Sequence, residues 1–497
     1  MLRETTVENG KVRGVACGWP SITAYYGIPY AAPPVGNLRW REPQPAADWD
    51  GVRDCARPSA KCWQMGVGKG SFFEREFYPV EEEMSEDCLY LNVWTPAQST
   101  EERCPVIFWI HGGAFMTGYG HSAHFDGEHF ARQGVILVTI NYRLNVFGWM
   151  VDPALSAESE HGVSGNYALL DQIAALKWVR RNIAQFGGDP DNITVAGQSA
   201  GAACVQALVS SPLTQGDIAR AIFQSGGGMD ALPDMTYPSL ADVEAKSNLR
   251  ESLGVATIEE ARALSGEELL ERWRRTMPGP AIQRTPVIDG YVLPEPTADV
   301  VYERKYPRIP YLVGYTEKEG IVVSPTPESY RELADILYGA RAQEYLALCP
   351  MEEEETFASL RDNFFAESLQ AGCESWAELL DENGDGPVYV YRLARMLPGD
   401  DKGAFHAADL WYVFQTFMRG WRPWEGRDYE IARTMNTCWA NFAKTGNPNG
   451  ERLPEWTPFT RENPGTLVIG DETTEMKQLT DNPRVAFRRK YLVGHKK

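Results

Sequence analysis

Gly197-Gln198-Ser199-Ala200-Gly201 sets a serine between small residues in the G-x-S-x-G spacing, which lets a hydroxyl stand on a sharp turn between a strand and a helix. A serine hydroxyl is a weak nucleophile until a neighbouring base takes its proton, and histidine titrates in the useful range. The chain has seven histidines. At elbows of this kind the base follows the nucleophile in chain order, and only His406 and His495 lie beyond Ser199. His495 stands among Gly494, Lys496 and Lys497 at the end of the sequence, where a fixed orientation is not expected. His406, in Gly403-Ala404-Phe405-His406-Ala407-Ala408-Asp409, follows a strand-like run and is expected to open a helix. A serine and a histidine so placed could transfer an acyl group, given a carboxylate to hold the imidazole in one tautomer. Many carboxylates lie between them. Position narrows the choice to Glu317 and Glu319, on the loop at the carboxyl end of a strand-like run from Ile309 to Gly314.

The elements that must hold these residues follow from hydrophobic spacing. Pro105 to Ile110, Gly134 to Asn141, Asn192 to Ala196 and Ala219 to Gln224 read as short strands. Gly165 to Phe186 carries Leu169, Ile173, Leu176, Val179 and Ile183 at helical spacing, and Ala200 to Ser210 reads as a helix. Unbroken apolar strands alternating with helices predict an α/β protein with a mostly parallel sheet covered on both faces. Strand character returns at Ile309 to Gly314, Pro387 to Leu393 and Thr466 to Ile469, with helix-like stretches at Glu259 to Arg275, Ala404 to Phe417 and Tyr429 to Lys444. Residues 1–497 therefore read as one domain, with helical insertions at about 230–285 and 320–385.

The 497 residues hold 48 Lys plus Arg against 68 Asp plus Glu, a net charge of −20 that excludes nucleic acid as the default partner. With 43% hydrophobic and 23% charged residues, the composition is that of a globular chain. No apolar run approaches a membrane span, and Met1 to Gly10 lacks the core of a signal peptide, so a cytoplasmic protein is expected. Nine cysteines, an odd number spread over the chain, suit reduced thiols. No metal pattern stands out: His121 and His124 lack a third partner at ligand spacing and read as solvent-facing residues of a glycine-rich loop. Neither metal nor cofactor is implied.

Phe186-Gly187-Gly188-Asp189-Pro190-Asp191-Asn192-Ile193-Thr194-Val195-Ala196 running into the serine motif resembles the signature of the type-B carboxylesterases, the cholinesterase-like branch of the α/β-hydrolases. Glu86-Asp87-Cys88-Leu89-Tyr90-Leu91-Asn92-Val93 resembles that family's second signature. Tyr26 to Ala31 and Asn441 to Asn449 are similar to its end segments, so essentially the whole chain is covered. The resemblance implies an α/β-hydrolase fold and a serine hydrolase cleaving small-molecule carboxylic esters through an acyl-enzyme, with Ser199, Glu319 and His406 as the triad. It selects Glu319 over Glu317. His111-Gly112-Gly113-Ala114-Phe115 resembles the family's oxyanion loop, which assigns Gly113, Ala114 and Ala200 as N–H donors; many relatives have a third glycine where this chain has Ala114. Ser225 and Asp409 match polar residues behind the triad, Arg39 with Glu86 matches an ion pair, Arg143 with Asp171 could form another, and Cys62 with Cys88 matches a disulfide of secreted members. Amides, lactones and carbamates stay open as substrates, oligomeric state is unknown, and relatives without the nucleophile make a non-catalytic adhesion or scaffold role the distant alternative.

Overall fold

The computed structural model describes residues 2–78, 80–229, 237–276 and 285–494, so His495 and parts of the first expected insertion lie outside the described residues. Two compact units emerge. One holds Met1–Ala196, Ala207–Ala219 and Tyr237–Pro296; the other holds Gly197–Gln206, Arg220–Thr236 and Thr297–Lys497.

In the first unit, β1 (Thr23–Pro29), β2 (Tyr90–Thr95), β3 (Cys104–Ile110), β4 (Ile136–Ile140) and β5 (Gly188–Gln198) lie in the sheet order β5-β3-β4-β2-β1. β5 ends on Gly197 and Gln198, which belong to the second unit. β4 runs parallel to β3, pairing Val138 with Phe108, and antiparallel to β2, pairing Val138 with Val93. Every residue of β4 is buried, which is why its sequence shows no apolar–polar alternation. Helix α1 (Tyr167–Asn182) buries the residues at the expected helical spacing, and a short 3₁₀ turn, Ile183–Phe186, ends at Gly187 in the left-handed conformation that glycine adopts without strain. The Arg39 guanidinium grips Glu86 at 2.5 and 2.7 Å, and Arg143 grips Asp171 at 2.7 and 2.8 Å. Cys62 and Cys88 are buried thiols in contact, and the Cys62 thiol together with burial pushes Cys88 well above its usual value.

In the second unit, β6 (Arg220–Gln224), β7 (Tyr311–Thr316), β8 (Val388–Leu393) and β9 (Gly465–Ile469) run parallel in that order, and β10 (Thr474–Gln478) closes the edge antiparallel to β9. Side chains alternate between two covered faces. On one face Trp376 of helix α2 (Glu354–Asn383) packs 5.6 Å from Phe223 and 5.2 Å from Tyr311. On the other, Trp439 of helix α3 (Gly426–Thr445) packs 5.0 Å from Tyr391. Tyr391 lies so flat across Gly314 that a Cβ there would come within 2.2 Å of its ring.

Three expectations need correction. Ala404 to Phe417 is not one helix: only Asp409–Val413 is α-helical, Phe417 opens a separate 3₁₀ turn, and Ala407 sits at φ 72, a left-handed turn that breaks the run. Glu259 to Arg275 is two helices, Ile258–Ala263 and Gly266–Thr276, parted by Leu264 and Ser265. His124 is buried and His121 mostly so, the first bonded to Ser122 Oγ at 3.0 Å and packed 4.0 Å from Phe125. Over the stretches expected as insertions the described residues carry helices, from Leu240–Lys246 to Gly266–Thr276 and from Pro327–Tyr338 to α2. Among the described residues no helix is long and apolar enough to cross a membrane, and no group of His, Cys, Asp and Glu side chains could hold a metal ion.

Candidate active site

Ser199 stands directly after β5 and before the helix Ala200–Ser210, at φ 58. A non-glycine residue in the left-handed region needs surrounding structure to hold it. Its N–H donates to Gln224 O at 2.8 Å, its carbonyl accepts from Ala203 N at 3.0 Å, and a Cβ on Gly226 would reach within 2.4 Å of that carbonyl. Ser225, at the end of β6, is likewise left-handed at φ 49 and donates its N–H to Gly314 O at 2.8 Å.

The loops after β7 and β8 are laced together by main chain. Lys318 N donates to Ala404 O at 3.0 Å and His406 N donates to Glu319 O at 3.2 Å, continuing the parallel pairing beyond the strand ends. Glu319 thereby faces His406. Its Oε2 accepts from His406 Nδ1, while Oε1 accepts from Ser225 Oγ at 2.8 Å and from Thr316 N at 2.8 Å. Glu319 is 1% exposed and His406 7%. Glu317 is engaged elsewhere, in an ion pair with Arg392. The carboxylate that meets the imidazole is therefore Glu319.

Asp409, first residue of its short helix, is fully buried and accepts from Gln224 Nε2 at 2.9 Å and Tyr391 OH at 2.6 Å. Burial raises its carboxyl above the ordinary range, against the pull of those two donors. Three residues here were not anticipated. Thr316 acts through its backbone, which leaves no trace in side-chain identity. Phe365 sets its ring edge-on to His406 at 6.0 Å. Gln198 Nε2 lies 3.2 Å from His406 Nε2, whereas Ser199 Oγ makes no hydrogen bond among the described residues.

Gly113, Ala114 and Phe115 follow β3 with consecutive positive φ values of 119, 54 and 62. Only glycine fits at 113, because a Cβ there would lie 2.1 Å from Thr117 O. The carbonyls are engaged: Gly113 O accepts from Met116 N at 2.9 Å and Thr117 N at 3.0 Å, and Phe115 O accepts from Asn145 N at 2.9 Å. Phe115 packs 5.3 Å from Trp149. Ala200 opens the helix after Ser199, so its N–H has no partner one turn earlier.

His111, at the head of this loop, stacks 4.4 Å from Tyr142, and burial lowers it to about 4; burial also lowers His121 to about 4 and His124 to about 3. Each is neutral in the fold but binds a proton near pH 6.5 when unfolded. At these three groups the unfolded chain thus holds more protons below pH 6.5, and their contribution to stability falls as pH falls from there toward 4, by about 1.4 kcal/mol per pH unit for each group. Glu374, which burial raises to about 7, makes an opposing contribution. The melting temperature is expected to drop between pH 7 and pH 5, with a shallower drop in His124→Asn. Equal slopes in the two proteins would contradict this assignment of the acid sensitivity.

A model of the Carboxylesterase family matches residues 3–338 and 343–488. The para-nitrobenzyl esterase of Bacillus subtilis (strain 168) is 34% identical over 491 residues, covering 94% of this chain and 95% of its own length. The fumonisin B1 esterase of Sphingopyxis macrogoltabida is 32% identical over 482 residues, covering 93% of this chain and 85% of its own. A solved PNB esterase superimposes with a TM-score of 0.81 at 31% identity, over 99% of this chain and 100% of that one.

Proposed function

The chain belongs to the carboxylesterase family and is a carboxylic ester hydrolase of the α/β-hydrolase fold; we propose that it works as one catalytic domain over residues 1–497 through a Ser199–His406–Glu319 triad and an acyl-enzyme. Ser199 Oγ attacks the ester carbonyl carbon while His406 Nε2 takes the hydroxyl proton. The carbonyl oxygen becomes an oxyanion, for which the N–H groups of Gly113, Ala114 and Ala200 are the assigned donors. On collapse the C–O bond to the alcohol breaks and His406 returns its proton to the leaving oxygen. Water then attacks the acyl-serine by the same route, releasing the acid and restoring Ser199. Glu319 keeps the proton on Nδ1 and stabilises the imidazolium.

The observation that carries this reading is the Glu319 carboxylate, which accepts from His406 Nδ1 with its other oxygen fixed by Ser225 Oγ and Thr316 N. An acid so fixed does little but orient a base. Support for the oxyanion donors is the motif after β3 and its run of positive φ values. For the substrate, support comes from relatives whose names specify esters. The test is a panel of p-nitrophenyl esters of rising acyl length beside the matching anilide, carbamate and a lactone. Turnover of the esters at least 100-fold above the anilide is expected. Preference for the anilide, carbamate or lactone would replace the ester assignment, and no turnover of any would favour a non-catalytic binding protein.

A further inference from the structure

Proton bookkeeping around His406 leaves its second nitrogen with a definite role. Glu319 Oε2 accepts from Nδ1, so in the neutral imidazole the proton is on Nδ1 and Nε2 offers a lone pair. The group placed at that lone pair is the side-chain amide of Gln198, 3.2 Å away, rather than the hydroxyl of Ser199. An amide nitrogen only donates, so Gln198 Nε2–H donates to His406 Nε2. At 4% and 7% exposed, the two residues meet largely away from water.

We infer that Gln198 is a positioning residue for the base: its amide holds the Nε2 lone pair of His406 in the resting site, turns over to accept from Nε2–H when the free site is protonated at low pH, and withdraws when Ser199 Oγ takes its place at Nε2. The inference rests on the triad proposed above. Protonation of the free site turns Nε2 from acceptor into donor, and an unturned amide would then face it donor to donor. A half-turn about the last side-chain torsion, which is broad and two-fold for Gln, presents Oε1 instead. Glutamine can thus serve both protonation states in turn. Glutamate would serve only the cation, and methionine neither.

The other groups facing this pair in the second unit are fixed. Glu319 takes Nδ1, Asp409 lies close enough on its helix for His406 to lower its carboxyl, and α2 brings the Phe365 ring beside His406 together with Cys373, whose thiol is pushed up by burial, Glu374 and Glu319. A substitution at 198 leaves all of these in place.

The experiment compares the full-length protein with Gln198→Glu and Gln198→Met. It follows kcat/KM for p-nitrophenyl acetate across pH 5 to 8 and the rate of fluorophosphonate labelling on the alkaline plateau, and it locates the adduct by mass spectrometry. Gln198→Glu is expected to move the acid limb of the profile to higher pH by about 1 unit, because an acceptor-only partner favours the imidazolium. Gln198→Met is expected to label about five-fold faster than the unsubstituted protein, since no hydrogen bond must be given up before Ser199 reaches Nε2. An adduct on Ser199 with superimposable pH profiles, and no faster labelling of Gln198→Met, would overturn this role while leaving the triad standing. An adduct on another residue would overturn the triad and this role together.

Discussion

Ser199→Ala is expected to remain folded and to lose ester hydrolysis, with kcat lower by about 10⁶-fold, the loss that follows removal of a triad nucleophile. The fold should not register the change. Ser199 Oγ makes no hydrogen bond among the described residues, the backbone bonds to Gln224 and Ala203 do not involve the side chain, and alanine adds no atom toward the tight approach at Gly226. Circular dichroism and melting temperature should therefore match the unsubstituted protein, while fluorophosphonate labelling disappears. Near-normal turnover by pure, folded Ser199→Ala would remove the serine mechanism.

For Glu319→Gln the expected fall in kcat is about 10⁴-fold, the effect of neutralising a triad acid. The carboxylate receives three donors: His406 Nδ1, Ser225 Oγ and Thr316 N. A glutamine has one acceptor oxygen and one donor nitrogen, so at least one of the three must face an N–H with almost no water to relieve it. If that one is His406, the imidazole shifts its proton to Nε2 and can no longer take one from Ser199. Glu317→Gln is the control, since it removes only the ion pair with half-buried Arg392 and should change activity by no more than a few-fold. The reverse result, Glu319→Gln silent and Glu317→Gln crippled, would make Glu317 the acid.

Much of this arrangement is legible in the residues. Buried parallel strands leave unbroken runs such as Ile136 to Ile140, and the elbow leaves its glycines. The scarcity of histidine after Ser199 isolates His406. What escapes is carried by backbone or by exceptions to hydropathy. The turn at Ala407 that cuts short the expected helix depends on φ, not on composition. His124 looks exposed because glycines surround it, yet it packs among Phe77, Tyr78 and Phe125. The last helix, Pro483–Gly494, shows no clean apolar stripe because one of its inward residues is Arg488, buried 4.2 Å over the Phe364 ring. Thr316 N and the Gln198 amide do their work through groups that any residue, or any amide, could supply.

The main-chain lacing of Lys318 to Ala404 and Glu319 to His406 also separates the length of the intervening chain from the spacing of acid and base. The chain leaves β7, runs a detour that includes Pro327–Tyr338 and α2, and returns along β8, yet the two ends that matter are stapled beside each other. Lengthening such a detour costs only about 0.6 kcal/mol of closure entropy per doubling, and it does not enter the spacing of acid and base. One stretch of helices could therefore be exchanged for another without disturbing the pairing of Glu319 with His406. What such exchanges alter is the furniture the detour brings to the imidazole, of which the edge of Phe365 is the present example.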